Sequence, residues 1–427
     1  MLDIKLIIEK PQYVVDALKR KNWEFDPSEL LALSEERKTV LQKTEANKAQ
    51  QNKLSASVPQ LKKEGKDVTE IFKTVKELAA QNKESELRLQ EIEKRIHDIL
   101  CVLPNLPDDD LLPGDKENNK VIKVVGKKPE FAGFAPKNHV DLCESLDIVD
   151  YKRAAKISGS GTWIYKGLGA ELEWALINFF ISEHLKNGFE FILPPHLLNY
   201  ESGYTAGQFP KFESDVFNVE GLEPKRFLLP TAETALVNLH RNEILKEDEL
   251  PRKYFAYTPC YRSEAGSYRT EERGMIRGYQ FNKVEIVQYT TDTGSNAAFE
   301  EMVAISSGLV EKLGLHFRLS KLAAGDCSHS MARTYDVEVY IPSMDIYKEV
   351  SSASNARDYQ ARRGMMRYKD KDGKMHFVHT LNASGLATSR LVPAIVEQYQ
   401  QADGSVIIPE VLRPFMGGKT IIEAKKK

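Results

Sequence analysis

The chain has 427 residues, more than one ordinary domain needs, so two domains with ample chain for a large core are expected. A formal charge of -2 spread over 29% charged residues excludes a whole-surface attraction to nucleic acid, so any such partner must be met by local patches. No run reaches the eighteen or so apolar residues of a membrane span, and "MLDIKLIIEK" lacks the charged head and cleavage site of a signal peptide; no membrane partner and a cytoplasmic location are expected.

From Ser28 to Leu100, Lys, Glu, Gln and Ala dominate, which predicts long exposed helices; Pro59 and Gly65 interrupt the run. Ile71, Val75, Leu78, Leu89, Ile92, Ile96 and Ile99 recur by four and three, with Asn82 and Ser85 in the two missing places, a heptad seam. Leu30, Leu33, Arg37, Val40, Thr44, Asn47, Gln51, Leu54 and Val58 form a weaker one. Folded back about Glu64 and Gly65, the seams meet where residue numbers sum to 129, with Val40 opposite Leu89. That register sets Thr44 against Ser85 and Asn47 against Asn82, polar groups expected to hydrogen-bond across the seam. Such a hairpin suits a scaffold and a recognition arm equally. The lysines of "LKKEGK" at its tip suit a phosphate backbone and also a merely solvated face.

Next, "LPNLPDDDLLPGDKENN" reads as a linker, with three prolines and a turn-forming GD, so the boundary is set between residues 104 and 105. Beyond it, helical "GAELEWALINFFISEHLKN" mixes with strands such as "RFLLP", "VEIVQY", "YDVEVYIP" and "IYKEVSS", which predicts an α+β domain with a largely antiparallel sheet. Cys101, Cys143, Cys260 and Cys327 stand far apart without a CxxC pair, so no disulfide framework and no structural zinc are expected, and Cys327 with His329 supplies too few ligands for one.

Two glycine signals are discounted. "SGSGTWIYKGLG" is followed by β-prone residues where a dinucleotide loop needs a helix, and "MGGKT" has Arg413 where a P-loop needs its first glycine. Arginines can neutralise phosphate instead, through bidentate charge-assisted bonds. If "YFAYTPCYR" and "YQFNKVEIVQ" are antiparallel strands, Arg262 and Arg277 can both point into the space between, with Phe281 offering a flat face for a base.

Those stretches, together with "LPTAETALVNL", "TPCYRSEAGS", "GMIRGYQFNKVEIVQ", "TYDVEVYIP", "EVSSASN", "DYQARR", "HTLNASGLATSR" and "GSVIIPEVLRPFM", resemble the seryl-tRNA synthetases of bacterial type, within the class II aminoacyl-tRNA synthetases, over essentially the whole chain. The resemblance implies an antiparallel-sheet class II catalytic domain over 105–427, preceded by a tRNA-binding domain over 1–104 whose coiled-coil arm spans about 28–100. It implies L-serine and ATP as substrates, Mg2+ as cofactor, and tRNA(Ser) gripped by the arm, with tRNA(Sec) as a further substrate. "GFEFILPP" resembles the first class motif, which implies a homodimer.

Residue by residue, Arg262 resembles the arginine that holds the α-phosphate and the amino-acid carboxylate, and Arg390 the one that takes the γ-phosphate; these two are the expected catalytic pair. Glu264, Arg277, Gly278 and Phe281 match ATP-contacting positions. Glu349 and Ser352 match the magnesium-binding ones. Thr231 and Glu233 resemble the loop that takes the ammonium group, and Glu285 and Ser384 match positions contacting serine. Departures stand at "SYRTEERG", where GxDTRG is usual, at Tyr279, at Ala353, and at "GDCSHSMARTYD", where GDxGxxAxKTYD is more familiar. Two other readings are a ligase that passes an amino acid to a carrier-protein thiol, and a non-catalytic coiled-coil binding protein. The intact arm weighs against the first, and Arg262, Glu349 and Arg390 together weigh against the second.

Overall fold

The computed structural model describes residues 1–264 and 274–424. They fall into two compact units, one of Leu2–Lys19 and Trp23–Leu103, the other of Met1, Arg20–Asn22 and the chain from Pro104 on. No helix among the described residues is long and apolar enough to cross a membrane.

The first unit is built on two long helices, α1 (Ser28–Lys63) and α2 (Thr69–Val102). Pro59, expected as an interruption, is carried inside α1, where its missing N–H removes one bond from a 36-residue ladder. The turn falls where expected. Gly65 adopts φ 71°, a left-handed conformation that a side chain resists, and Lys66 N donates to Leu61 O at 3.0 Å to close the helix end.

Leu78, Asn82, Ser85, Ile92 and Ile96 of α2 are buried against α1, whose Leu30 and Thr44 are buried in turn. Ion pairs flank the seam on both sides of the expected register: Arg95 with Glu29 at 2.6 Å and Arg88 with Glu36 at 2.7 Å, then Lys48 with Glu86 at 3.0 Å. The seam's hydrogen bonds differ from expectation. Thr44 Oγ1 donates to Val40 O of its own helix at 2.8 Å, a bond that orders nothing further. Asn47 Nδ2 donates to Gln81 Oε1, and Asn82 Nδ2 to Gln51 Oε1, each at 3.3 Å, because the longer glutamine reaches across where two asparagines do not. Among the described residues Asn82 Oδ1 is buried without a hydrogen-bond partner. Asn82→Leu should therefore raise the unfolding free energy by about 1 kcal/mol, measured by urea denaturation, and a loss of stability would contradict this account of the seam.

The second unit holds a mixed sheet of eight strands: β1 (Lys120–Val125), β2 (Glu190–Phe191), β3 (Arg252–Tyr261), β4 (Gln280–Thr290), β5 (Phe317–Lys321), β6 (Arg333–Ile341), β7 (Ile346–Arg357) and β8 (His379–Ala387). Their order is β1-β5-β6-β7-β8-β4-β3-β2, antiparallel throughout except at the edge pair β2 and β3. Among the helices that pack on it are α3 (Leu168–Lys186), α4 (Ser295–Lys312) and α5 (Thr388–Gln398). Leu176 and Phe180 of α3, Phe299 and Met302 of α4, and Leu391 and Ile395 of α5 join Val284 and Ile286 of β4 in one core. The period of two then sends Lys283 and Glu285 to the opposite face of β4. This is what opens a polar site beside an apolar core.

The segment read as a linker is bolted to the sheet. Asp108 Oδ2 accepts from Arg333 Nε of β6 at 2.8 Å and from Arg357 Nη2 of β7 at 2.6 Å, Asp110 Oδ1 accepts from Arg333 Nη2 at 2.5 Å, and Leu111 is buried. The aspartate run anchors the chain, a role composition alone does not reveal. The first glycine stretch runs into a short strand, Ile164–Tyr165, and its Trp163 packs so closely on Gly278 that a Cβ there would stand 2.3 Å from the indole ring. In the second, Lys419 Nζ pairs with Glu171 at 2.8 Å.

Candidate active site

One cavity of about 520 Å³ is lined by Thr231, Glu233, Arg262, Glu264, Arg277, Gly278, Phe281, Glu285, Glu349, Ser352, Ser384 and Arg390, the residues expected from the sequence to bind ATP, serine or magnesium. Strands β3 and β4 pair antiparallel with Cys260 opposite Phe281, and Arg262 N donates to Tyr279 O at 3.0 Å where the pair ends. The hairpin expected from the arginine-rich stretch is therefore present. Residues 265–273, which include most of the variant "SYRTEERG", lie outside the described residues.

One half of the cavity is cationic. The Arg262 guanidinium stands 5.2 Å from the centroid of the Phe281 ring, a cation–π placement, and its Nε reaches Pro230 O only at 3.4 Å. Glu264 adopts φ 52° and presents Oε2 to Arg277 Nη1 at 2.9 Å. Arg390, in the first turn of α5, donates from Nη1 to Glu349 O at 2.7 Å and from Nε to Ile276 O at 3.3 Å. Nearby, Ser352 Oγ lies 2.5 Å from Asp336 Oδ1 and 3.1 Å from Glu349 Oε1, and its single proton serves one of them at a time. Burial, and then the charge of Glu349, hold the Asp336 carboxyl well above the usual carboxylate range.

The other half is an acidic cradle. Asn382 Nδ2 of β8 bridges two carboxylates, donating to Glu285 Oε1 at 3.0 Å and to Glu233 Oε2 at 3.3 Å. Gln360 Nε2 donates to Glu233 Oε1 at 2.9 Å. Lys283 Nζ donates to Thr231 Oγ1 at 2.7 Å and stands 2.8 Å from Glu285 Oε2, an ion pair without hydrogen-bond alignment. Burial, and then the neighbouring Glu285 charge, push the Glu233 carboxyl up to about 7. Ser384 of β8 is the register partner of Glu285.

Sequence reasoning singled out none of Lys283, Gln360, Asn382 or Asp336, although each lies inside a stretch quoted for the resemblance. Their signal was weak because each acts on a side chain from another strand or loop. Only the pairing of β4 with β8 brings Asn382 to Glu285.

Comparison with known proteins agrees with this architecture. Residues 217–399 match the family described as tRNA synthetase class II core domain (G, H, P, S and T), and residues 1–107 match the Seryl-tRNA synthetase N-terminal domain. A Clostridium acetobutylicum protein named Serine--tRNA ligase 2 is 58% identical over 423 residues, covering 98% of this chain and 99% of its own. The Clostridium tetani Serine--tRNA ligase is 44% identical over 99% of this chain and 100% of its own. The crystal structure of seryl-tRNA synthetase from Pyrococcus horikoshii complexed with ATP superimposes with a TM-score of 0.94 at 32% identity, with 100% of both chains covered. Two helical and catalytic domain matches, full-length relatives and a single cavity carrying both charge signs together place the chain in the seryl-tRNA synthetase family of class II.

Proposed function

We propose that this chain activates L-serine with ATP to seryl-adenylate and passes the seryl group to the 3′-terminal adenosine of tRNA(Ser). The observation that carries this reading is that the guanidinium-lined space and the two-carboxylate cradle belong to one cavity. In the first step a serine carboxylate oxygen bonds to the α-phosphorus and the bond to the leaving pyrophosphate breaks. In the second, the 3′-hydroxyl of the tRNA adds to the seryl carbonyl and AMP departs. No side-chain nucleophile is needed; orientation and charge neutralisation do the chemistry. Arg262 holds the α-phosphate and the serine carboxylate, Arg390 the γ-phosphate, and Glu264, Arg277, Gly278 and Phe281 the rest of the nucleotide.

Serine's ammonium group is received by Thr231 and Glu233, and its hydroxyl by Glu285 and Ser384. Glu349 and Ser352 are hard oxygen donors, and the Glu349 side chain is 44% exposed beside Arg390, so the pair fits Mg2+. Among the described residues no group of three or more His, Cys, Asp or Glu is arranged for a metal, so the ion would take its other ligands from phosphate and water. When bound, it supplies further neutralisation of phosphate charge.

The Glu233 shift fixes a pH dependence. Its carboxyl titrates near 7 instead of 4.5, so the protonated form is favoured and must ionise before an ammonium group is held. Serine KM should be about tenfold higher at pH 6 than at pH 8, with ATP KM flat, and Glu233→Gln should abolish the slope. Stability of the unliganded protein runs the other way: the contribution of a raised carboxyl is full below 4.5 and is lost as pH rises through about 7. An ATP-like flat profile for serine would contradict the role given to Glu233.

The arm, with Lys62, Lys63 and Lys66 at its tip, grips tRNA(Ser), and tRNA(Sec) is charged as well. The chain acts in the cytoplasm as a homodimer, its domains dividing near residue 104. Support for the dimer comes from the exposed apolar edge around β2, where Leu193 is 75% exposed and Phe191 37%. Aminoacylation of a tRNA pool with each labelled amino acid tests the whole reading. Serine alone should be incorporated, into serine and selenocysteine acceptors, whereas charging of another amino acid or of a carrier-protein thiol would overturn it.

A further inference from the structure

Ser328, His329, Ser330 and Met331 form one wall of the cavity, and they belong to the stretch whose wording departs from the family pattern. All four of their consecutive carbonyls are held by two residues from far earlier in the chain. Lys21 Nζ donates to Ser328 O at 3.0 Å and to Met331 O at 2.8 Å, bracketing the turn that Met331 N closes on Ser328 O at 2.9 Å. Asn105 takes the two between: its backbone N donates to His329 O at 2.8 Å and its Nδ2 to Ser330 O at 3.0 Å. The same Nδ2 also donates to Ala356 O of β7 at 2.8 Å, which ties the wall to the sheet.

Neither Lys21 nor Asn105 lines the cavity. Lys21 is only 8% exposed, and among the described residues its ammonium meets carbonyls and no carboxylate. A buried cation without a countercharge is costly, so its hydrogen bonds must carry the compensation. Burial lowers it to about 8, which leaves it a cation at neutral pH. An ordinary surface lysine would need none of this.

The wall bears on the acidic cradle through close packing. Gly207 adopts φ 77°, and a Cβ there would stand 2.7 Å from Ser330 Cβ and 3.0 Å from the Tyr359 ring. Beside it, Ala206 O accepts from Gln360 Nε2 at 3.0 Å, and that same Nε2 donates to Glu233. Gln208 Oε1 accepts from Thr234 Oγ1 at 3.0 Å, one residue from Glu233. A shift of the 328–331 wall is thus passed to Glu233, while Arg262, Arg277 and Arg390 are held by other contacts.

We infer that Lys21 and Asn105 are positioning residues which, by fixing the carbonyls of 328–331, set the cradle for serine and not the site for ATP. This rests on the assignment of the cradle to serine made above. The test is ATP–pyrophosphate exchange with serine and ATP varied separately. Lys21→Met should raise serine KM by about tenfold or more while ATP KM stays within about twofold, the split a displaced cradle produces. If circular dichroism shows Lys21→Met to be unfolded, Asn105→Ala is read in the same way. The inference is overturned if serine KM stays near wild type in a folded variant, if both KM values rise together, or if both variants fail to fold, since the pair then serves only stability. A wild-type enzyme whose exchange ignores serine would instead sink the proposed function, so the two failures are distinguishable.

Discussion

Arg262→Ala is expected to slow serine-dependent ATP–pyrophosphate exchange by about 10²–10³-fold, the usual cost of removing one donor aimed at developing charge, or roughly 3–4 kcal/mol of transition-state stabilisation. The residue suits a clean test because the fold barely depends on it. It is exposed, and among the described residues its side chain makes one hydrogen bond, a 3.4 Å contact to Pro230 O, and stacks on Phe281. Stability should change by no more than about 0.5 kcal/mol, as for an ordinary surface substitution. Arg262→Lys should recover little, because a point charge cannot bridge phosphate and carboxylate bidentately. Near-normal exchange in the alanine variant would remove Arg262 from the chemistry.

Glu285→Ala carries the second large effect, and it falls on selectivity. A site built to pair a hydroxyl rejects the analogue lacking it by about 10⁴ or more, whereas one methylene contributes only about 1–3 kcal/mol. Losing Glu285 should therefore collapse the preference for serine over alanine by about 10³-fold or more, with ATP affinity nearly unchanged. The substitution also has a structural cost. Glu285 is 1% exposed, and its removal leaves Lys283 buried without the carboxylate 2.8 Å away, a situation that costs about 3–5 kcal/mol. Lys283→Met in the same protein removes that orphaned charge. The double variant should regain stability without regaining serine selectivity, which separates recognition from folding. Unchanged serine-dependent exchange in Glu285→Ala would refute the role.

The two effects differ in kind because the two halves of the cavity are built differently. Arg262 and Arg390 are anchored at a strand end and in a helix's first turn through a few backbone carbonyls, so each can be removed singly. The cradle is a closed network in which Asn382 joins Glu233 to Glu285, Lys283 joins Glu285 to Thr231, and Gln360 joins Glu233 to Thr380. Removing one member there leaves another unsatisfied, and double-variant cycles are needed to apportion the loss.

What the sequence revealed follows from the range over which each contact acts. Alternation in "NKVEIVQ" and the heptads of the arm are local signals, and both the strand β4 and the helix pair α1 and α2 follow them. Every site residue named by motif wording lines the cavity; Phe281, Glu285, Glu349, Ser352 and Ser384 sit on neighbouring strands whose registers are fixed by the core, and the others sit at strand ends, in loops or in helices beside them. The contacts that composition and spacing did not disclose join residues distant in sequence. Arg333 meets Asp108 across 225 positions, which is why an anchoring segment looked like a linker, and Lys21 meets Met331 across 310. In the arm the register was readable and the rotamers were not. Gln81 and Gln51 took the asparagine amides because one more methylene spans the gap between helices.

A crystal structure with a non-hydrolysable seryl-adenylate analogue tests the shared cavity most directly. The phosphate should lie against Arg262, the hydroxymethyl group between Glu285 and Ser384, and the ammonium group on Glu233 and Thr231. An analogue whose seryl end points away from those carboxylates, or whose adenylate lies outside the arginine-lined half, would contradict the account.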